Sequence, residues 1–121
     1  VEAAKKQGRV VVKDSNPSAG FYFRSDHFNF AKVGIPALYT ETGDDHIGKG
    51  LAYGKAQKEE YIKNKYHAPA DNFEPSKWDF SGMVEDLRLL FEVGYKLSNE
   101  TTFPKWKEGS EFKAIRDKSM K

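Results

Sequence analysis

With 121 residues the chain has room for one small domain and a modest core, and is short for a complete two-layer enzyme. Hydrophobic side chains make up 38%, charged ones 31% and aromatic ones 14%, which excludes disorder and predicts a core built on Phe and Tyr. A net charge of +2 is too weak to attract nucleic acid, no apolar run is long enough to span a bilayer, and the absence of cysteine leaves only His, Asp, Glu or water to hold a metal.

Val1 to Gln7 is rich in Ala and Lys and reads as the last turns of a helix, stopped by Gly8. It lacks the apolar segment of a signal peptide, and its start without Met is that of a fragment. Val10-Val11-Val12 reads as the centre of a strand over Arg9 to Lys13, followed by the turn-forming run Asp14 to Gly20. A short helix capped by Ser25 or Asp26 ends near Val33, where Gly34 supplies a left-handed stop and Pro36 turns the chain into a buried extended segment, Ile35 to Tyr39. Helix, turn and strand in that order are the alternation of an α/β layer.

Thr40 to Gly54, with Gly43, Gly48, Gly50 and Gly54, reads as a long loop. Asp44 and Asp45 beside His46 invite a metal-site reading, but solvated loop residues look the same, and the loop reading is preferred. A charged helix over Lys55 to Asn64 leads to Tyr66-His67-Ala68-Pro69-Ala70-Asp71, where Pro69 opposes helix. A phenol, an imidazole and a carboxylate so close together are the groups of a hydrolytic or metal site. A longer helix from about Asp79 to Leu97 carries an apolar stripe of Phe80, Met83, Val84, Leu87, Leu90, Phe91, Gly94 and Leu97, predicted to cover a sheet or another helix. Glu85, Arg88, Glu92 and Lys96, on its other face, read as solvated surface. Phe103 to Phe112 reads as an arm anchored by Trp106 and its aromatic neighbours, and Arg116 to Lys121 as a frayed end.

Arg24-Ser25-Asp26-His27, then Phe30-Ala31-Lys32-Val33-Gly34-Ile35-Pro36-Ala37, then Tyr66-His67-Ala68-Pro69-Ala70-Asp71 resemble the C-terminal part of the M28 family of zinc exopeptidases. In that family a Ser-Asp-His-x-x-Phe segment and a Gly-Ile-Pro strand precede a Tyr-His-x-x-x-Asp segment. Trp78-Asp79-Phe80-Ser81-Gly82 and the arm from Trp106 to Arg116 add a likeness to bacterial members. The resemblance implies an α/β fold, the C-terminal portion of a three-layer α/β/α sandwich with a mostly parallel sheet. Residues 1–121 would then be a single partial domain, with 99–121 as a C-terminal arm.

The implied activity is that of a metal-dependent aminopeptidase with two zinc ions, acting on N-terminal peptide bonds of a peptide substrate. In that pattern His67 is a metal ligand and Tyr66 a catalytic phenol that bonds the tetrahedral intermediate. Arg24, Asp26 and His27 fall at or behind the substrate, and Asp71 or a backbone carbonyl orients the His67 ring. The structural alternatives are a Tyr66 packed on its loop, and an Arg24–Asp26 pair that only orders a helix start.

The family's other ligands and its general base have no counterpart in Val1 to Phe23, and Glu59-Glu60 stands in the wrong order to replace them. The expectation is therefore a fragment that is inactive alone, binds zinc weakly and self-associates through uncovered apolar surface. A receptor-like relative without catalysis, and a glutaminyl-cyclase-like acyltransferase, remain alternatives. A periplasmic or secreted bacterial location follows from the resemblance alone.

Overall fold

The computed structural model describes residues 1–120. Five helices run in chain order: α1 over Glu2–Lys6, α2 over His27–Lys32, α3 over Gly50–Asn64, α4 over Ser81–Ser98 and α5 over Lys113–Ser119. Two short 3-10 turns, Pro17–Ala19 and Phe21–Arg24, precede α2. Among the described residues the β pairing amounts to one isolated bridge between His46 and Gly50.

This corrects the expected sandwich with a mostly parallel sheet: the described chain is helical, with no sheet. Both predicted strands fail for the same reason. Val10, Val11 and Val12 are 84%, 59% and 75% exposed, and Ile35 and Leu38 are likewise exposed rather than buried. A strand needs a neighbour's N–H and C=O groups beside it, and β-branched side chains supply a preference for the extended state without supplying that neighbour.

The chain divides into two compact units, Val1–Tyr39 with Ser81–Lys121, and Thr40–Phe80. In the first unit α1 lies on α4. Gln7 donates from Nε2 to the Glu85 carbonyl at 3.0 Å, Arg9 pairs with Asp86 at 2.5 Å and with Glu85 at 3.5 Å, Lys6 pairs with Glu92, and Lys96 with Glu2 at 3.5 Å. Three of the side chains expected to be mere solvated surface on α4, Glu85, Glu92 and Lys96, thus make its helix contact. Meanwhile Met83, Leu87, Phe91 and Tyr95 point outward. The exposed pairs are individually weak, so they set direction more than stability.

The rest of the first unit is an aromatic cluster. Tyr22 packs edge-on against Phe23, His27, Phe28 and Tyr39, and Phe112 lies against Tyr22, Phe28 and Trp106. The expected aromatic core is there as ring contacts, but Phe112 is the aromatic side chain that is buried, beside Ala4 and Ala31. Gly34 takes the predicted left-handed conformation at φ +84°. Neither expected cap forms a side-chain bond: Asp26 sits at the head of α2 with φ −61° and ψ −28°, already helical, where a capping residue is normally extended.

In the second unit α3 begins at Gly50, inside the predicted loop. Gly54 explains how the preceding loop lies on the helix, since a Cβ there would stand 1.8 Å from the Asp44 carbonyl oxygen. Lys58 adds ion pairs to Glu41 at 3.4 Å and Asp44 at 3.6 Å. Burial pulls the Lys58 ammonium down, but Asp44 and Glu41 outweigh it and leave its pKa raised. Phe73, Trp78 and Phe80 form a small ring cluster ahead of α4. No helix among the described residues is long and apolar enough to cross a membrane.

Candidate functional site

The last turn of α3 builds the Tyr66–Asp71 loop. The Tyr61 carbonyl accepts from Lys65 N and from Tyr66 N, both at 2.9 Å, closing the helix. His67 then takes φ +56°, the left-handed region, and is the non-glycine residue that does so among those described. Histidine is among the residues that tolerate this region, at a cost of roughly 1–2 kcal/mol. Two tight turns follow, Ala68 N to Lys65 O and Asp71 N to Ala68 O, each 2.9 Å, and Asn72 donates from Nδ2 to the Pro69 carbonyl.

The reversal at His67 places its ring on that of Tyr66, with centroids 4.0 Å apart and planes 28° from parallel. Both side chains are exposed. The adjacent phenol and imidazole read from the sequence are therefore one aromatic face open to solvent.

Asp71 has a different partner from the one the sequence suggested. Its Oδ2 accepts from the Tyr61 hydroxyl at 2.8 Å, tying the far end of the loop back to the last turn of α3. That hydrogen bond, reinforced by burial and by the Asp71 and Tyr66 charges, holds the Tyr61 phenol above its usual pKa. Tyr61 was not singled out in the sequence. Its position on the final helical turn, five residues before Tyr66, is the signal that places it beneath the loop.

Arg24, Asp26 and His27 belong to the first unit. Arg24 and Asp26 are exposed, with the Arg24 guanidinium 5.5 Å from the Phe21 ring centroid. His27 turns inward. Its ring stacks on Tyr39 at 4.7 Å and meets the edge of Tyr22 at 4.6 Å, and its Nε2 is buried without a hydrogen-bond partner. Burial, and secondarily the Glu111 charge, raise the Tyr22 phenol above its usual pKa. His46 sets its ring edge-on to Tyr53 at 5.3 Å, while Asp44 is drawn to Lys58. Two open hollows of about 420 and 440 Å³ share Thr101, Phe103, Pro104 and Arg116 in their walls and contain none of the predicted site residues.

The loop thus presents a phenol and an imidazole side by side in solvent on a left-handed turn. The model of peptidase family M28 matches residues 1–91, so the chain belongs to that peptidase family. The matched stretch takes in Arg24, Asp26, His27, Tyr66, His67 and Asp71 and ends within α4. No curated protein and no solved structure matches the chain.

The family implies zinc, and the donor set of this chain does not fit it. A zinc centre takes at least three protein donors, whereas no three His, Asp or Glu side chains converge among the described residues. His67 offers one imidazole, and the nearest carboxylate in sequence, Asp71, is engaged by Tyr61.

Proposed function

We propose that this chain carries the late portion of the active site of an aminopeptidase of the M28 family, and that Tyr66 and His67 are its working groups. The observation that supports this is the exposed Tyr66–His67 pair on a left-handed turn, a costly geometry that leaves both polar edges available. On this reading the Tyr66 hydroxyl donates to the oxyanion that develops as the peptide carbonyl is attacked. A donor that bonds the tetrahedral species better than the planar carbonyl lowers the barrier. His67 would offer one imidazole to a metal, and the described residues supply no further donors to complete its shell. Asp71 and Tyr61 fix the loop that carries both.

Arg24 and Asp26, both exposed in the first unit, are assigned to substrate binding, with Arg24 suited to a substrate carboxylate. His27 backs them from inside the aromatic cluster. The isolated chain hydrolyses no peptide and holds zinc weakly, since one imidazole leaves most of the coordination shell to water.

The test uses the peptidase that carries this chain. Tyr66→Phe leaves metal content and KM unchanged and lowers kcat roughly ten- to a thousandfold. His67→Ala lowers zinc content, and excess zinc partly restores activity. A His67→Ala enzyme with full metal and full activity would overturn the assignment.

A further inference from the structure

The arm that follows α4 lies beyond the stretch matched by the family, yet it makes the contacts that fix the segment carrying Arg24, Asp26 and His27. That segment has little to fix itself. Helix α2 is six residues long, shorter than an independently stable helix, and no side chain caps its first turn. The arm grips it at both ends.

At the C-terminal end, Trp106 Nε1 donates to the Gly34 carbonyl at 2.9 Å. The backbone of α5 is so close that a Cβ on Gly34 would stand 2.6 Å from Arg116 N and 2.9 Å from its Cα. At the N-terminal end, the buried Phe112 ring lies 6.1 Å from Phe28 and 6.4 Å from Tyr22, and Tyr22 in turn supports His27. Trp106 and Phe112 are themselves packed at 5.1 Å, so the two grips form one body.

We propose that Trp106 and Phe112 are positioning residues, through which the C-terminal arm sets the orientation of the Arg24–His27 segment toward the substrate. The proposal rests on the reading that Arg24 and Asp26 take part in substrate binding. Neither arm residue touches the substrate. Each acts by restricting the angles at which α2 and the turn before it present their polar groups, which governs binding more than chemistry.

Hydrogen exchange on the chain tests the grip. Trp106→Phe keeps a ring in the cluster and loses the donor to Gly34, and amides from Phe21 to Ile35 then exchange roughly fivefold faster, the effect of losing one hydrogen bond. Amides of α3 keep their rates. Phe112→Leu keeps apolar volume and produces the same local pattern, and so serves if Trp106→Phe folds poorly. Unchanged exchange over Phe21 to Ile35 in both variants, or equal acceleration in α3, overturns the proposal.

In the peptidase that carries this chain, Trp106→Phe raises KM several-fold with kcat within about twofold, the mark of lost binding rather than lost transition-state contact. Arg24→Ala is the control. If it raises KM and Trp106→Phe does not, the positioning role falls while the substrate reading stands. If Arg24→Ala leaves KM unchanged, the substrate reading falls and the positioning role with it, leaving only a packing contact that exchange detects.

Discussion

His27 and His67 each rest on a tyrosine ring, His27 on Tyr39 at 4.7 Å and His67 on Tyr66 at 4.0 Å, but they live in opposite surroundings. His27 is set on a short helix among rings, with Nε2 buried and unpartnered. His67 stands on a left-handed turn in solvent. The sequence neighbourhood of each is similar in kind, a histidine between polar and aromatic residues. What separates them is the backbone: a helical turn carries His27 into the cluster, and a reversal after α3 carries His67 out of its loop. Two imidazoles in similar sequence surroundings are thus told apart by exposure and backbone conformation rather than by residue type.

The comparison breaks most sharply on activity. In the peptidase, His67→Ala is expected to lower kcat/KM on the order of a hundredfold or more, as for a lost metal donor, and steady-state kinetics with metal analysis checks it. The next effect is on stability. His27→Ala loses two ring contacts and should cost about 2 kcal/mol in denaturant unfolding, whereas His27→Phe keeps the ring, removes the orphan nitrogen and should unfold no earlier than the parent. A smaller effect isolates the turn: His67→Gly should be about 1 kcal/mol more stable than His67→Ala, because glycine takes positive φ without strain. Equal stability of the two would show that the turn is not strained.

The finest distinction is spectroscopic. Tyr22, beside His27, and Tyr61, beside Tyr66, both titrate above the ordinary 10.0, the first chiefly by burial and the second chiefly by its bond to Asp71. A raised phenol pKa means that the fold favours the protonated form. The contribution of each is therefore whole below pH 10.0 and lost as pH climbs through the raised value. Asp71→Asn should return one tyrosine toward its ordinary titration in ultraviolet absorbance and leave the other high. Tyr61→Phe should remove the same step.

The loop at Tyr66 to Asp71 was more legible than the fold. Tyr66 and His67 are adjacent, so a local turn suffices to stack their rings, and Pro69 and the preceding charged helix announce that turn, whereas Asp71 bonds Tyr61 and not the His67 ring. The left-handed backbone at His67 and the role of Tyr61 were not legible, since both depend on how the helix ends. Gly34 was read correctly as a left-handed stop because glycine is the residue that this conformation favours. The strands at Val10 to Val12 and Ile35 to Tyr39 were misread because side-chain preference was taken for pairing, which is a property of two segments and not of one. The orientation of α4 was misread because its apolar stripe was assumed to face inward, whereas α1 meets the acidic and basic side.

That outward stripe also gives the chain a built-in chemical probe. It has two methionines, Met83 on the stripe and Met120 after α5, which are 51% and 55% exposed. Thioethers this accessible are converted to sulfoxides by dilute peroxide without prior unfolding. Mass spectrometry of the peroxide-treated protein therefore reads coverage of α4 one residue at a time. The two sites oxidise at similar rates when the stripe is bare, and Met83 falls behind Met120 in any assembly that lays protein over it.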